Sequence, residues 1–322
     1  MKEIDLIIPV YGSAPFFQKT LHSLDSSDLD YINTIIVLDR PSDETRELSR
    51  ISRSEIDGCR IIESGDPGIV AALNLGIGMS DAKYIARLDS DDLVSPKRFR
   101  IQKDFLDSQS EVAVVGSQMK LIDFEDQAIG STAYPTKFKD INELMEFQNC
   151  IAHPSIMMRR DLFEQTGGYK KCFTGAEDYD LWMRMAKLGE LRNLENQLTY
   201  YRISPNQFSR SATANPGIVE IAVKLSNMGY APKGFSETVQ PSRRSLEESN
   251  RANMETLKRE SINVWRRIRL AEEINLIWVN RGSARNASGK LVVKLLKALV
   301  LDGPLTLRYV SLKIRFNNLG KS

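Results

Sequence analysis

Three carboxylates fall within four positions at Asp89, Asp91 and Asp92, directly after the strand-like run Tyr84-Ile85-Ala86-Arg87-Leu88. A strand that ends this way delivers several negative charges to one point. Two carboxylates about 4 Å apart repel by roughly 4 kcal/mol at an effective dielectric near 20. A bound divalent cation is the usual reason to gather them. Oxygen-only ligands suit Mg²⁺ or Mn²⁺, and a Mg²⁺ site of one or two carboxylates is commonly completed by substrate phosphates. The alternative is a solvated acidic turn ahead of a helix that Ser95 caps and Pro96 opens. A second acidic pair, Glu177-Asp178, starts an amphipathic helical pattern over residues 179–188 that stops at Gly189. Taken alone, acids in a first helical turn are partners of the helix dipole.

The elements that must position these acids follow one repeating unit in the first hundred residues: apolar strand, polar turn, helix. Strands are expected at residues 4–10, 34–38, 59–62 and 84–88, and helices at 15–24, 43–51 (capped by Ser42) and 69–79. This alternation predicts a parallel sheet covered by helices. Asp39, Asp66 and Asp89 each stand just past a strand's carboxyl end, where such sheets bind ligands. No Gly-x-Gly-x-x-Gly follows the first strand, which disfavours a dinucleotide site. Further on, residues 112–124 and 128–133 read as a hairpin, 141–147 as a short helix and 149–158 as a core strand. A helix from Asp161 ends at Gly167-Gly168. After Arg202 the chain becomes loop-like, residues 232–241 read as a linker, and a helical pattern runs from the capping box at Ser245 to about Asn280. The expected organisation is an α/β domain, its sheet mostly parallel, over residues 1–210, with a helical, basic extension over 211–322.

Composition narrows the class of protein. Of 322 residues, 42% are hydrophobic and 27% charged, as in ordinary soluble domains. Three scattered cysteines read as reduced thiols, and the presence of two histidines argues against a histidine-based zinc site. No signal peptide is recognisable, and no apolar run approaches the ~20 residues that span a bilayer. From Arg281 onward nine Lys or Arg face the single acid Asp302, a local net charge of +8 against −6 for the rest. With the apolar positions Leu291, Val292, Leu295, Leu296 and Leu299, this tail predicts peripheral contact with an anionic membrane. Its only aromatics, Tyr309 and Phe316, are too few for a nucleic-acid stacking surface, so no nucleic-acid partner is expected.

Several short motifs occur in one order: Ile7-Ile8-Pro9-Val10-Tyr11; Ile35 to Asp39; Gly68, Ala72, Asn74 and Gly76; Tyr84 to Asp92; His153-Pro154-Ser155; Gly167-Gly168-Tyr169; and Glu177-Asp178 with Leu181, Trp182 and Arg184. Over roughly residues 3–210 the chain resembles the family 2 glycosyltransferases of the GT-A fold, as found in bacterial surface-polysaccharide synthesis. The resemblance implies an inverting, hexosyltransferase-type enzyme using a nucleoside-diphosphate sugar, commonly UDP-linked, with Mn²⁺ or Mg²⁺. The acceptor would be a saccharide or a lipid-linked saccharide, handled in the cytoplasm at the inner face of the plasma membrane. By position, Pro9, Tyr11, Asp39, Asn74, Asp89 and Ser90 would bind the nucleotide sugar, with Asp39 on the pyrimidine imide. Asp91, helped by Asp89, would hold the metal, with Asp92 as a substitute ligand or supporting partner. Asp178 would be the catalytic base, and Glu177, Trp182, Arg184 and His153 would form the acceptor side. Three positions depart from the family pattern: Leu38 precedes Asp39 where a second acid is frequent, Gly12 replaces a frequent Asn, and Ser204 stands where His often follows Tyr-Arg. The competing classes are a nucleotidyltransferase, which wants a Gly-rich basic loop that residues 10–17 lack, and an inactive nucleotide-sugar-binding protein whose tail holds nucleic acid.

Overall fold

The sheet grows from β1 (Ile4–Tyr11), whose residues are all buried except Tyr11 at its end. An almost unbroken apolar strand needs cover on both faces, and it receives it. The computed structural model describes residues 2–24, 32–145 and 148–203. β1 pairs in parallel with β2 (Ile32–Asp39) on one side and β4 (Tyr84–Arg87) on the other, and β2 pairs in parallel with β3 (Cys59–Glu63). The crossovers are α1 (Phe17–Leu24), α2 (Asp43–Glu55) and α3 (Ile69–Gly78). Side chains alternate between faces along β1. Leu6, Ile8 and Val10 join Phe17, Leu21 and Leu24 of α1 in one core, while Ile7 joins Val70, Leu73 and Ile77 of α3 in the other. The expected Ser42 cap is present: its Oγ accepts the Thr45 N–H at 3.2 Å.

The second half completes the sheet differently. It contains β5 (Leu93–Val94), α4 (Arg98–Ser108), β6 (Val112–Ile122), β7 (Ala128–Ser131), α5 (Phe138–Met145), β8 (Met157–Arg159), α6 (Arg160–Thr166), α7 (Glu177–Met185) and β9 (Glu190–Arg202). Strand order is β3-β2-β1-β4-β8-β6-β9-β5, with β7 paired to β6. β6 pairs in parallel with β9 along most of its length, so the sheet is mostly parallel as expected, while β8 runs antiparallel to both β4 and β6, β5 to β9, and β7 to β6. The α/β layering is as expected.

Two local expectations fail for identifiable reasons. Residues 149–158 do not form one strand. Pro154 has no N–H to give a ladder, and His153–Ser155 form a 3-10 turn that leaves only Met157–Arg159 as strand. The helix after the aspartates begins at Arg98 rather than at Ser95-Pro96. Ser95 spends its N–H on the Leu198 carbonyl at 3.1 Å, extending the β5–β9 pairing, and Lys97 turns through φ 65° before the helix starts. The expected helical extension over 211–322, its basic tail and Ser204 lie outside the described residues.

Strand neighbours reverse in chain order between β1 and β4, and at such a switch point the carboxyl ends of the strands open a crevice. Tyr11 closes β1 there, Asp39 closes β2, and the aspartates follow β4. The crevice wall depends on close approach of α3 to the sheet. A Cβ on Gly76 would meet Val37 Cγ2 at 2.8 Å and Ile7 Cγ2 at 2.9 Å. Gly76→Ala is therefore expected to destabilise the chain by about 1–3 kcal/mol, as overpacking of a filled core does. Urea unfolding that shows no loss would contradict this packing.

Candidate active site

At the β1–β2 end, Pro9 is buried within β1 while Tyr11 projects outward, 64% exposed. Asp39 stands opposite Tyr11 and is buried. Its Oδ2 accepts the Gly68 N–H at 2.8 Å, and its Oδ1 accepts from Arg40 Nε at 3.0 Å. Arg40 adopts φ 47° and lays its guanidinium 5.0 Å from the Tyr11 ring centre. Asp66 is exposed in the loop after β3. Asn74 bonds to the main chain of Tyr169. Its Nδ2 donates to the Tyr169 carbonyl at 2.8 Å and its Oδ1 accepts the Tyr169 N–H at 2.9 Å. The Asn74 amide is thus occupied in joining α3 to the turn after α6. A cavity of about 550 Å³ lies beside that joint, lined by Ser64, Asp66, Val70, Asn74, Tyr169 and Lys171 among others.

The aspartates form a real cluster: Asp89, Asp91 and Asp92 place carboxylate oxygens within 4.8 Å of one another. Asp92 is fully buried, with Oδ1 accepting the Arg202 N–H at 2.8 Å and Oδ2 without a hydrogen-bond donor among the described residues. Burial, then the neighbouring carboxylates, push Asp91 and Asp92 above the usual carboxylate range. Arg87, itself buried, grips both oxygens of Asp89 in a fork, with the Nη1–Oδ2 bond at 3.2 Å. Ser90 contributes its carbonyl to Thr20 Oγ1 at 2.9 Å, which ties the turn to α1. An all-oxygen donor set with a buried, unpartnered carboxylate oxygen fits a hard divalent cation of the Mg²⁺ or Mn²⁺ type.

The second acidic pair splits into two environments. Glu177 is buried, and its Oε2 accepts the Gly175 N–H at 2.6 Å. Burial, then the adjacent Asp178, push Glu177 up to about 7. Asp178 is half-buried, and two donors orient it: Asn149 Nδ2 at 2.8 Å and the Tyr179 N–H at 2.7 Å. Trp182 is fully enclosed in the core and packs edge-on against His153, ring centres 5.7 Å apart. It has no exposed face on which a sugar stacks. Arg184 donates to Asp180 Oδ2 from Nε at 3.0 Å and to the Thr166 carbonyl at 2.9 Å, bracing α7 against α6. His153 is buried, and its Nε2 sits 2.7 Å from the Tyr169 hydroxyl. Burial, then Arg87, push its imidazole well below its ordinary value, so it is neutral near pH 7. Trp182, Arg184 and His153, expected on the acceptor side, make packing and bracing contacts within the protein.

Groups that carried no role in the sequence surround both acid clusters. Arg87 acts electrostatically on the aspartates and on Glu177 and Asp178, and links the two ends of the site. Asn149 holds Asp178. Burial, then Asp89, Asp92 and Asp91, drive the Tyr201 hydroxyl far above its ordinary value, which marks a phenol facing the cluster. An amide in an otherwise apolar stretch was the available signal for Asn149. Arg87 and Tyr201 gave none beyond being polar residues in strands.

Comparison with known proteins bears on the whole arrangement. Residues 5–167 match the family described as glycosyl transferase family 2. A relative from Escherichia coli, the O-antigen biosynthesis glycosyltransferase WbnJ, is 36% identical over 146 residues, covering 44% of this chain and 56% of WbnJ. The amylovoran biosynthesis glycosyltransferase AmsE of Erwinia amylovora is 26% identical over 221 residues, covering 68% of this chain and 82% of AmsE. The fold is similar to S. aureus TarS 1–349 in complex with UDP-GlcNAc, with a TM-score of 0.58 at 16% identity over 96% of this chain and 92% of that one. It is also similar to the mannosyltransferase PcManGT of Pyrobaculum calidifontis with GDP-Man and Mn²⁺, with a TM-score of 0.52 at 14% identity over 97% and 84% of the two chains.

The Glu177 environment has a measurable consequence. The unfolded chain releases that proton near 4.5 and the folded chain near 7. Between those values the folded state binds the extra proton, so stability falls as pH rises through the window. Glu177→Gln removes this loss. In metal-free buffer its stability relative to wild type is expected to climb from about pH 4.5 to 7 and then level, by roughly 3 kcal/mol in total. Urea unfolding at a series of pH values checks this, and a difference that does not vary with pH would contradict the assigned environment.

Proposed function

Because the chain belongs to glycosyl transferase family 2, we propose that it transfers a sugar from a nucleoside-diphosphate donor to a saccharide or lipid-linked saccharide, with inversion at the anomeric carbon. The observation that carries this reading is the presence of two acidic groups of different environment that share Arg87 as an electrostatic neighbour. One is a clustered set of aspartates and the other a separately oriented carboxylate, Asp178. The names of WbnJ and AmsE favour a role in surface-polysaccharide synthesis, and the UDP-GlcNAc complex of TarS favours a uridine donor.

In this reading the base of the nucleotide lies against Tyr11, and Asp39, already fixed by Gly68 and Arg40, accepts from its imide. Asp91, with Asp89 and Asp92 in reach, would hold Mn²⁺ or Mg²⁺. Such an ion, when bound, offsets the charge that grows on the departing diphosphate. Arg87 keeps the Asp89 carboxylate in one orientation. Asp178 takes the proton from the acceptor hydroxyl as its oxygen bonds to the anomeric carbon and the bond to the diphosphate breaks. The diphosphate leaves with the electron pair. Asp178 suits the task better than Glu177, because it is partly open to solvent and held by two donors. Glu177 is enclosed and turned toward Gly175. Contact of the basic tail beyond Lys290 with an anionic membrane would bring the enzyme to a lipid-linked acceptor, a proposal that rests on the charge and the apolar pattern of that segment.

The test is a screen of nucleoside-diphosphate sugars with Mn²⁺, read as released nucleoside diphosphate, on wild type and two variants. Asp178→Asn should bind nucleotide normally yet lose turnover by at least about a hundredfold, the scale of a positioned general base. Glu177→Gln should be milder. Turnover by Asp178→Asn within a few-fold of wild type would place the base elsewhere.

A further inference from the structure

A set of bonds beneath the aspartates plays no part in the chemistry above. Arg202, the last residue of β9, is fully buried. Its main-chain N–H donates to Asp92 Oδ1, and its Nε donates to the Asp91 carbonyl, both at 2.8 Å. Its Nη1 donates to the Asp123 carbonyl at 2.7 Å and lies 2.6 Å from Asp126 Oδ1. The guanidinium also lies 4.1 Å over the Phe16 ring. One side chain therefore joins the aspartate loop, the turn between β6 and β7, and the approach to α1.

That turn is shaped to meet it. Asp123 Oδ1 accepts the N–H groups of Glu125 and Gln127, both at 2.9 Å, and Asp126 adopts φ 65°. The second carboxylate oxygen of Asp126 pairs with Lys19 at 2.5 Å on the outer side. The other ties of the aspartate loop, Arg87 to the Asp89 carboxylate, Thr20 to the Ser90 carbonyl and the Val94 N–H to Ser23 Oγ, make no hydrogen bond to Asp91 or Asp92. The strand that follows it, β5, is two residues long and pairs only at Leu93–Tyr200 and Val94–Thr199. Three mutually repelling carboxylates need an anchor at Asp91 and Asp92 as well as at Asp89. A planar guanidinium that donates along fixed directions supplies one, which the single ammonium of a lysine does not.

We infer that Arg202, with Asp126 as its counter-charge, is a positioning residue that holds the Asp91 and Asp92 carboxylates at ligand spacing for a divalent cation. The turn at residues 123–126 then sets metal affinity although it carries no ligand. This rests on the reading of Asp89, Asp91 and Asp92 as the ion site.

Mn²⁺ titrations of the full chain in the presence of UDP, followed by the paramagnetic resonance of the free ion, test the inference. Arg202→Met should weaken Mn²⁺ binding by about 10–100-fold, the range for groups that support metal ligands from behind. Asp126→Ala should weaken it in the same direction, and Lys19→Ala, which leaves the bonds of Arg202 in place, should not. In turnover, the Mn²⁺ concentration for half-maximal rate should rise in the first two variants while kcat at saturating Mn²⁺ is retained. Should Arg202→Met fail to fold, Asp126→Ala decides. Mn²⁺ binding by Asp126→Ala as tight as wild type, or equal weakening by Lys19→Ala, would overturn the brace alone. No Mn²⁺ uptake by wild type would overturn the ion site and the brace with it.

Discussion

The site is organised by one repulsion. Asp89, Asp91 and Asp92 stand with oxygens inside 4.8 Å, and one of them is completely buried. Isolated, each buried charge would cost several kcal/mol. The chain answers with three buried arginines drawn from separate segments: Arg87 from β4, Arg98 from α4 and Arg202 from β9. Burial alone would disfavour these cations as strongly. Arg98 is pushed down to about 9 by its enclosure even with Asp92 nearby. Its Nη2 nonetheless reaches the Arg87 carbonyl at 2.8 Å and the Ile156 carbonyl at 3.2 Å, joining β4 to the turn before β8. Acids and arginines thus hold one another in place.

The fold makes that cluster part of a site because of where the sheet changes direction. Parallel strands β1 to β4 bring Tyr11, Asp39 and the aspartates to one edge. The antiparallel strand β8 then carries the chain through α6 to α7, whose first residues are the second acidic pair. The Asn74–Tyr169 amide clamp and the Arg184 bridge to Thr166 fix this later segment against α3 and α6. His153, Tyr169 and Trp182 fill the space behind it. Residues outside the two acid clusters therefore decide where Asp178 stands.

Much of this was legible in the sequence, and the exceptions share a cause. Period and composition suffice for the β1 to β4 alternation, for the β6–β7 hairpin and for the stop of α6 at Gly167, because each depends on local preference. The mixed half of the sheet was not legible, since strand direction around β8 is fixed by tertiary pairing and a single Pro154 shortens the strand. Trp182 shows the same limit: an aromatic beside acidic residues reads alike as a sugar platform or as core, and only burial separates the two. Arg87 and Arg202 sit in strand patterns that give no hint of enclosed cations. Their partners, from Asp89 to Asp126, are brought to them by the fold.

The central claim is that the clustered aspartates serve a cation shared with a nucleoside diphosphate, and calorimetric titration of the full-length protein with UDP and with GDP tests it most directly. Each titration is run once in EDTA and once in Mn²⁺. The account predicts that at least one nucleotide binds tighter in Mn²⁺ by about tenfold or more, ~1.4 kcal/mol. Equal affinity with and without the ion for both nucleotides would contradict it.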